Sequence, residues 1–292
     1  MTARASAGLR RSRPVRGRPV RGRPNVAAGL LTLVWLVIVG VPLYAIVSDS
    51  LQPSDQYTAA GPLSPPHHLT LANFGTALAN GFGRYILNTA IVTAVSVVLT
   101  LALAVPVAYA IVRSRNRLVA WTFRMFLMGL AIPAQATIIP VYLIITRLHL
   151  YDSLTAIILP TVAFALPLSI LVLCSSLRDV PRELYEAMTL EGAGSVRLLC
   201  SLVLPLSRAG IATVSIFTAL SAWNGFLFPL ILTQSVSSRV YTLGLWQYQS
   251  QFGAINVPGL MAAVLLCALP VLVLYLLARR WLIAGLAGIG GR

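Results

Sequence analysis

Six runs of apolar residues, each long enough to cross a bilayer, constrain this chain more than any other feature. They lie at about 26–47, 85–112, 119–146, 154–177, 209–232 and 259–278. A hydrocarbon core of about 30 Å asks roughly 20 residues of a spanning helix, and each run meets that length. The expectation is an all-α membrane protein with six transmembrane helices. Composition agrees, because 58% of the 292 residues are hydrophobic and only 10% are charged. An ordinary soluble domain carries about 25% charged residues.

The formal charge of +15 comes entirely from arginine and is sorted by membrane side. Arg113, Arg115 and Arg117 follow the second run, Arg124 lies just inside the third, and Arg178, Arg182, Arg197 and Arg208 sit between the fourth and fifth. Arg279, Arg280 and Arg292 close the chain, while the predicted outer loops hold only Arg84, Arg147 and Arg239. By the positive-inside rule both termini are cytoplasmic. This sorting explains the charge without a nucleic-acid partner. Residues 1–25 repeat Pro-Val-Arg-Gly-Arg-Pro and carry eight of the arginines. They read as a disordered basic cytoplasmic tail able to touch anionic lipid headgroups. Arg10-Arg11 is not read as an export signal, since the apolar run after it is too long; it precedes an uncleaved anchor.

Candidate chemistry inside the spans is sparse. Polar side chains in lipid usually face the bundle or a water-filled path, which marks Asn88, Gln135, Trp223 and Asn224 as pathway candidates. Each could instead serve an interhelical hydrogen bond. No span contains an acidic residue, so a proton-coupled carrier built on a buried carboxylate is disfavoured and energy has to come from elsewhere. The chain has no lysine, hence no Walker motif and no P-loop ATPase of its own. His67-His68 lacks further ligands, and Cys174, Cys200 and Cys267 are widely spaced, so no metal site is expected. A membrane enzyme would need a catalytic cluster such as His-Glu-x-x-His, and none is present.

The one charged island, residues 178–207, holds four of the seven acidic residues: Asp179, Glu183, Glu186 and Glu191. Pro181 suits the first turn of a helix. Leu184, Ala187, Met188 and Glu191 then follow at i, i+3, i+4 and i+7, giving a short apolar stripe beside Arg182, Glu183 and Glu186. Gly192 and Gly194 end that helix, Ser195 caps a second over 196–204, and Pro205 stops it. Glu186, Ala187, Gly192, Leu202, Leu204 and Pro205 have the spacing of the EAA loop, so the stretch resembles that of ABC importer permeases. Met188 stands where the second alanine is usual, Leu202 for isoleucine, and Glu191 for the common Asp.

Further stretches resemble the second permease subunit of carbohydrate-uptake importers of the maltose type. They are Thr70-Leu71-Ala72-Asn73-Phe74, Ile132-Pro133-Ala134-Gln135, Pro181 to Ala187, Ala222-Trp223-Asn224-Gly225, and the tail from Arg280. Gly225 replaces a common Asp and is expected to loosen the fifth helix. The resemblance implies a type I importer permease in the bacterial plasma membrane, working with a second homologous permease, two ATPase subunits and an extracytoplasmic solute-binding protein. ATP and Mg would be held by the ATPase, with no cofactor on this chain. It implies an ATPase-coupling role for Arg182, Glu183, Glu186, Ala187, Met188, Glu191 and Gly192, with Glu186 meeting a basic residue of the ATPase. The tail, freed by Gly285, Gly288, Gly290 and Gly291, would touch the ATPase as well. A sugar or oligosaccharide is the implied cargo; a peptide or polyamine is the alternative.

Overall fold

The structure is a computed structural model, and it describes residues 26–114, 116–251 and 256–287. The expectation of a basic tail over 1–25 lies outside the described residues. Those described fall into two compact units, one ending at Tyr44 and one beginning at Ala45. The first unit is most of α1 (Val26–Ser50), an apolar helix with Pro42 inside it. The second opens with two short helices, α2 (Ser54–Ala60) and α3 (Ala72–Ala79). Asn73, in the Thr-Leu-x-Asn-Phe run, explains how that connection is held. Its buried amide donates to the carbonyls of Ser50 and Gln52, both at 2.9 Å, and so staples α3 to the chain behind it.

Two long helices form the centre of the second unit: α4 (Phe82–Arg113) and α7 (Leu154–Arg178). They pack along much of their length, and α11 (Arg208–Trp223) lies against both. In lipid no hydrophobic force drives apolar helices together, so close packing of small residues has to hold them. The seam follows that rule. Ala104 and Ala108 of α4 are fully buried, and a Cβ built on Gly210 of α11 would sit 2.7 Å from the Ser176 Cβ of α7. The last helix, α14 (Val257–Ala287), packs against α3 and α11.

Among the described residues four helices are long and apolar enough to span, or up to six if each of two bent pairs, Arg117–Gly129 with Ala134–Arg147 and Ser195–Leu206 with Arg208–Trp223, is one span. The expected third span, 119–146, is not one helix. It divides into α5 (Arg117–Gly129), a 3-10 turn (Ala134–Thr137) and α6 (Ile138–Arg147), with 97° between the arms. Pro133 is the cause: it lacks the N–H a continuing helix would use, and it pushes Ile132 out of the α region. The expected fifth span, 209–232, also breaks. After Trp223 the chain turns through Asn224, Gly225 and Phe226 into α12 (Leu227–Leu232). The glycine foreseen to loosen this helix stands where it ends. By contrast Pro160 and Pro167 lie within an unbroken α7. At the C-terminus Gly285 is still helical, so the freedom expected of it is absent; 288–292 lie outside the described residues.

Candidate coupling site and the Trp223 cavity

The charged island folds as two helical rods joined at a glycine corner. The first is α8 (Arg182–Leu190), with Pro181 at its N-cap. Its end is a Schellman turn: the Gly192 N–H bonds the Thr189 carbonyl and the Ala193 N–H bonds the Met188 carbonyl, both at 3.0 Å. Such a turn needs a left-handed residue, and Gly192 has φ +81°. The second rod differs from expectation. Gly194, not Ser195, is the N-cap; α9 (Ser195–Leu198) passes into a π-helical turn (Leu199–Val203) and then α10 (Leu204–Leu206). Pro205 sits in the first turn of α10, where a missing N–H is tolerated, so the rod runs past it to Leu206.

The expected apolar stripe of α8 divides between two faces. Tyr185, absent from the sequence candidates, is the inward anchor at 2% exposure. Its ring lies 6.3 Å from that of Tyr109, and the Arg113 guanidinium stands 4.8 Å above its centroid. Burial pushes the Tyr185 phenol above the ordinary tyrosine value and Tyr109 adds to the rise, while Arg113 works against it. With Ala193, Leu198, Leu202 and Val203, Tyr185 belongs to one continuous core with Ala104, Ala108, Leu173 and Leu177 of α4 and α7; Met188 packs on its edge. Leu184 (42% exposed), Leu190 (90%) and Val196 (75%) face outward, alongside the exposed Arg182, Glu183, Glu186, Ala187, Glu191 and Gly192. One face is therefore fused to the helix bundle and the other is left for a partner.

The pathway candidates do not converge. Asn88 is buried and donates to the Ser237 and Arg239 carbonyls, both at 2.8 Å, fastening the loop before α13 (Tyr241–Gln251) onto α4. Gln135 is exposed on the 3-10 turn, in the broken third span. Trp223 and Asn224 do share a cavity, of about 740 Å³, between α11, α13 and α14. There the Trp223 ring lies 5.6 Å from that of Tyr241, whose hydroxyl donates to Asn224 Oδ1 at 3.2 Å. The buried Trp223 indole N–H has no hydrogen-bond partner. Also unpartnered are the hydroxyls of Thr93, Ser96 and Thr100 on α4 and of Thr218 on α11. Sequence gave no signal for these, because a hydroxyl in a helix ordinarily bonds the preceding turn.

At the start of α7 Asp152 ties two loops together. Its carboxylate accepts the Gln234 and Ser235 N–H groups at 2.8 and 2.9 Å and the Ser235 hydroxyl at 3.1 Å. Burial alone would raise its pKa, but these bonds hold it below the ordinary carboxylate value.

Residues 97–287 match the model of the binding-protein-dependent transport system inner membrane component family. The chain belongs to this family. A relative at 33% identity is the diacetylchitobiose uptake system permease protein NgcG of Streptomyces coelicolor, matched over 86% of this chain and 83% of that one. The sn-glycerol-3-phosphate transport system permease protein UgpE of Yersinia pestis bv. Antiqua is 30% identical, over 90% and 95% respectively. Among solved structures, a bacterial ABC transporter involved in the import of the acidic polysaccharide alginate has a chain that superposes with a TM-score of 0.80 at 19% identity. That match covers 87% of this chain and 95% of the other, and it establishes the type I importer permease fold. This family member is thus a multi-pass membrane transport subunit.

Proposed function

We propose that this permease moves a sugar or oligosaccharide inward, receiving it from an extracytoplasmic binding protein and drawing energy from two ATPase subunits seated on residues 178–207. A second homologous permease completes the path, both termini are cytoplasmic, and ATP and Mg are held by the ATPase. The observation that carries the reading is the division of α8 into two faces. A displacement imposed on Leu184, Leu190 and Glu186 from outside reaches α4 and α7 through Tyr185 without an intervening flexible joint. At the other end of the path, a mostly apolar cavity with a few placed polar groups is what a small-molecule site requires, and Trp223, Asn224 and Tyr241 supply them. Asn88 acts there as a support for the loop before α13, and Gln135 lines the path at the broken third span.

The cargo assignment draws on the name of NgcG; that of UgpE favours a polyol phosphate as the second reading. The test is affinity purification of the chain with its partners, reconstitution with the co-purifying binding protein, and uptake of a panel of labelled oligosaccharides and glycerol phosphates. Glu186→Lys in the same preparation should leave ATP hydrolysis running while uptake falls, because it reverses charge at the ATPase contact. Unchanged uptake per ATP would refute the coupling role, and uptake of a glycerol phosphate alone would move the cargo to the second reading.

A further inference from the structure

A second cavity, of about 480 Å³, opens beside the coupling loop between the last turn of α4, the last turn of α7 and the start of α8. Arg113, Arg178 and Arg182 line it with Ser114, Tyr185 and a single carboxylate, Glu186. Among the described residues no Asp or Glu lies within ion-pair distance of these arginines. A cation at a helix C-terminus is favoured by the macrodipole, which accounts for Arg113 and Arg178 singly but not for three guanidinium groups on one cavity. Two are held by rings that leave their N–H donors unspent: Arg113 over Tyr185 at 4.8 Å and Arg178 over Phe123 at 5.8 Å. Three arginines less Glu186 leave two positive charges; the C-termini of α4 and α7 subtract about half a charge each and the N-terminus of α8 adds about half, so the excess stays between one and two.

We propose that this cleft binds a phosphodiester monoanion, the headgroup phosphate of an anionic phospholipid such as phosphatidylglycerol. The charge excess calls for an anion, and a phosphodiester supplies one. The depth matches as well, because the lining comes from the inner ends of two spans, where headgroups lie, and guanidinium forks are suited to phosphate oxygens. The site therefore places a lipid against both Tyr185 and Glu186, at the joint between the bundle and the coupling loop. It rests on the proposed membrane placement and not on the cargo.

The purified complex containing the full chain, taken from phosphatidylglycerol-containing membranes, is examined by native mass spectrometry. A bound phosphatidylglycerol is expected. Each guanidinium removed, as in Arg113→Gln or Arg178→Gln, should lower its retention about fivefold. Glu186→Gln should raise it, and this opposite sign keeps the test decisive if an arginine variant folds poorly. Equal retention in all variants overturns the proposal while leaving ATPase co-purification, and with it the transport reading, intact. Displacement by millimolar inorganic phosphate but not by dihexanoyl phosphatidylglycerol overturns the lipid as occupant in favour of free phosphate. Loss of the ATPase with unchanged lipid would assign the cleft to a protein carboxylate and also overturn it.

Discussion

Tyr185→Ala is the sharpest test of how motion enters this permease. The ring is 2% exposed and contacts Tyr109 and Arg113, so truncation to Ala removes a fully packed aromatic from the surface joining α8 to α4 and α7. Buried aromatic-to-alanine changes cost about 3–5 kcal/mol. Even 3 kcal/mol, placed on the docking of α8, would shift the docked-to-undocked ratio by about two orders of magnitude. Tyr185→Phe separates packing from polarity. The hydroxyl is buried with no hydrogen-bond partner, so its removal leaves nothing unpaired and should be neutral or stabilising by up to about 1 kcal/mol. In proteoliposomes holding the whole importer, the ratio of cargo transported to ATP hydrolysed should collapse for Tyr185→Ala and stay at the wild-type value for Tyr185→Phe. A normal ratio and unchanged thermal stability for Tyr185→Ala would refute the argument that this residue carries the load.

At Gly192 nothing lies within 4 Å of an added Cβ, so the penalty for a side chain is conformational, set by φ +81°. Gly192→Val should cost more than the roughly 1–2 kcal/mol typical of a left-handed residue and reduce ATPase co-purification, whereas Gly192→Asn should retain most of it. Gly210→Val forces a branched side chain onto Ser176 and should lower the thermal midpoint of the purified complex more than Gly29→Val, where a Cβ meets nothing within 4 Å. Because the Asp152 pKa is depressed in the folded state, its contribution is present above the ordinary carboxylate value and lost as pH falls through the lower folded one. Amide exchange across 232–238 should therefore be constant from pH 8 to 5 after correction for intrinsic rates, and Asp152→Ala should accelerate it at pH 7.

Span positions and the charged island were legible because both rest on local chemistry: long apolar runs, a proline at a helix start, a glycine at a corner. The bends were harder to read. Pro133 breaks its span and Pro167 does not, although both interrupt the same kind of apolar run. Pro167 is buried in α7 against Gly129 of α5, and neighbours can hold an imperfect helix together. The apolar stripe on α8 was visible, yet its orientation depended on Tyr109 and Arg113, more than 70 residues earlier. Tyr185 was therefore missed beside the more regular Leu184. Likewise sequence left the Asn88 amide between a pathway role and a structural hydrogen bond, because the acceptors that decide it lie some 150 residues away.

The elbow at Ser207 has a mechanical consequence. The rod Ser195–Leu206 meets α11 at 79°, close to a right angle, so a thrust delivered along the rod arrives at α11 almost wholly as a sideways load. Its inner end should swing laterally while keeping its axial register against α7, in the manner of a crank and not a piston. Spin-label distances taken from the first turn of α11 should accordingly change across the bundle and stay nearly constant along the membrane normal.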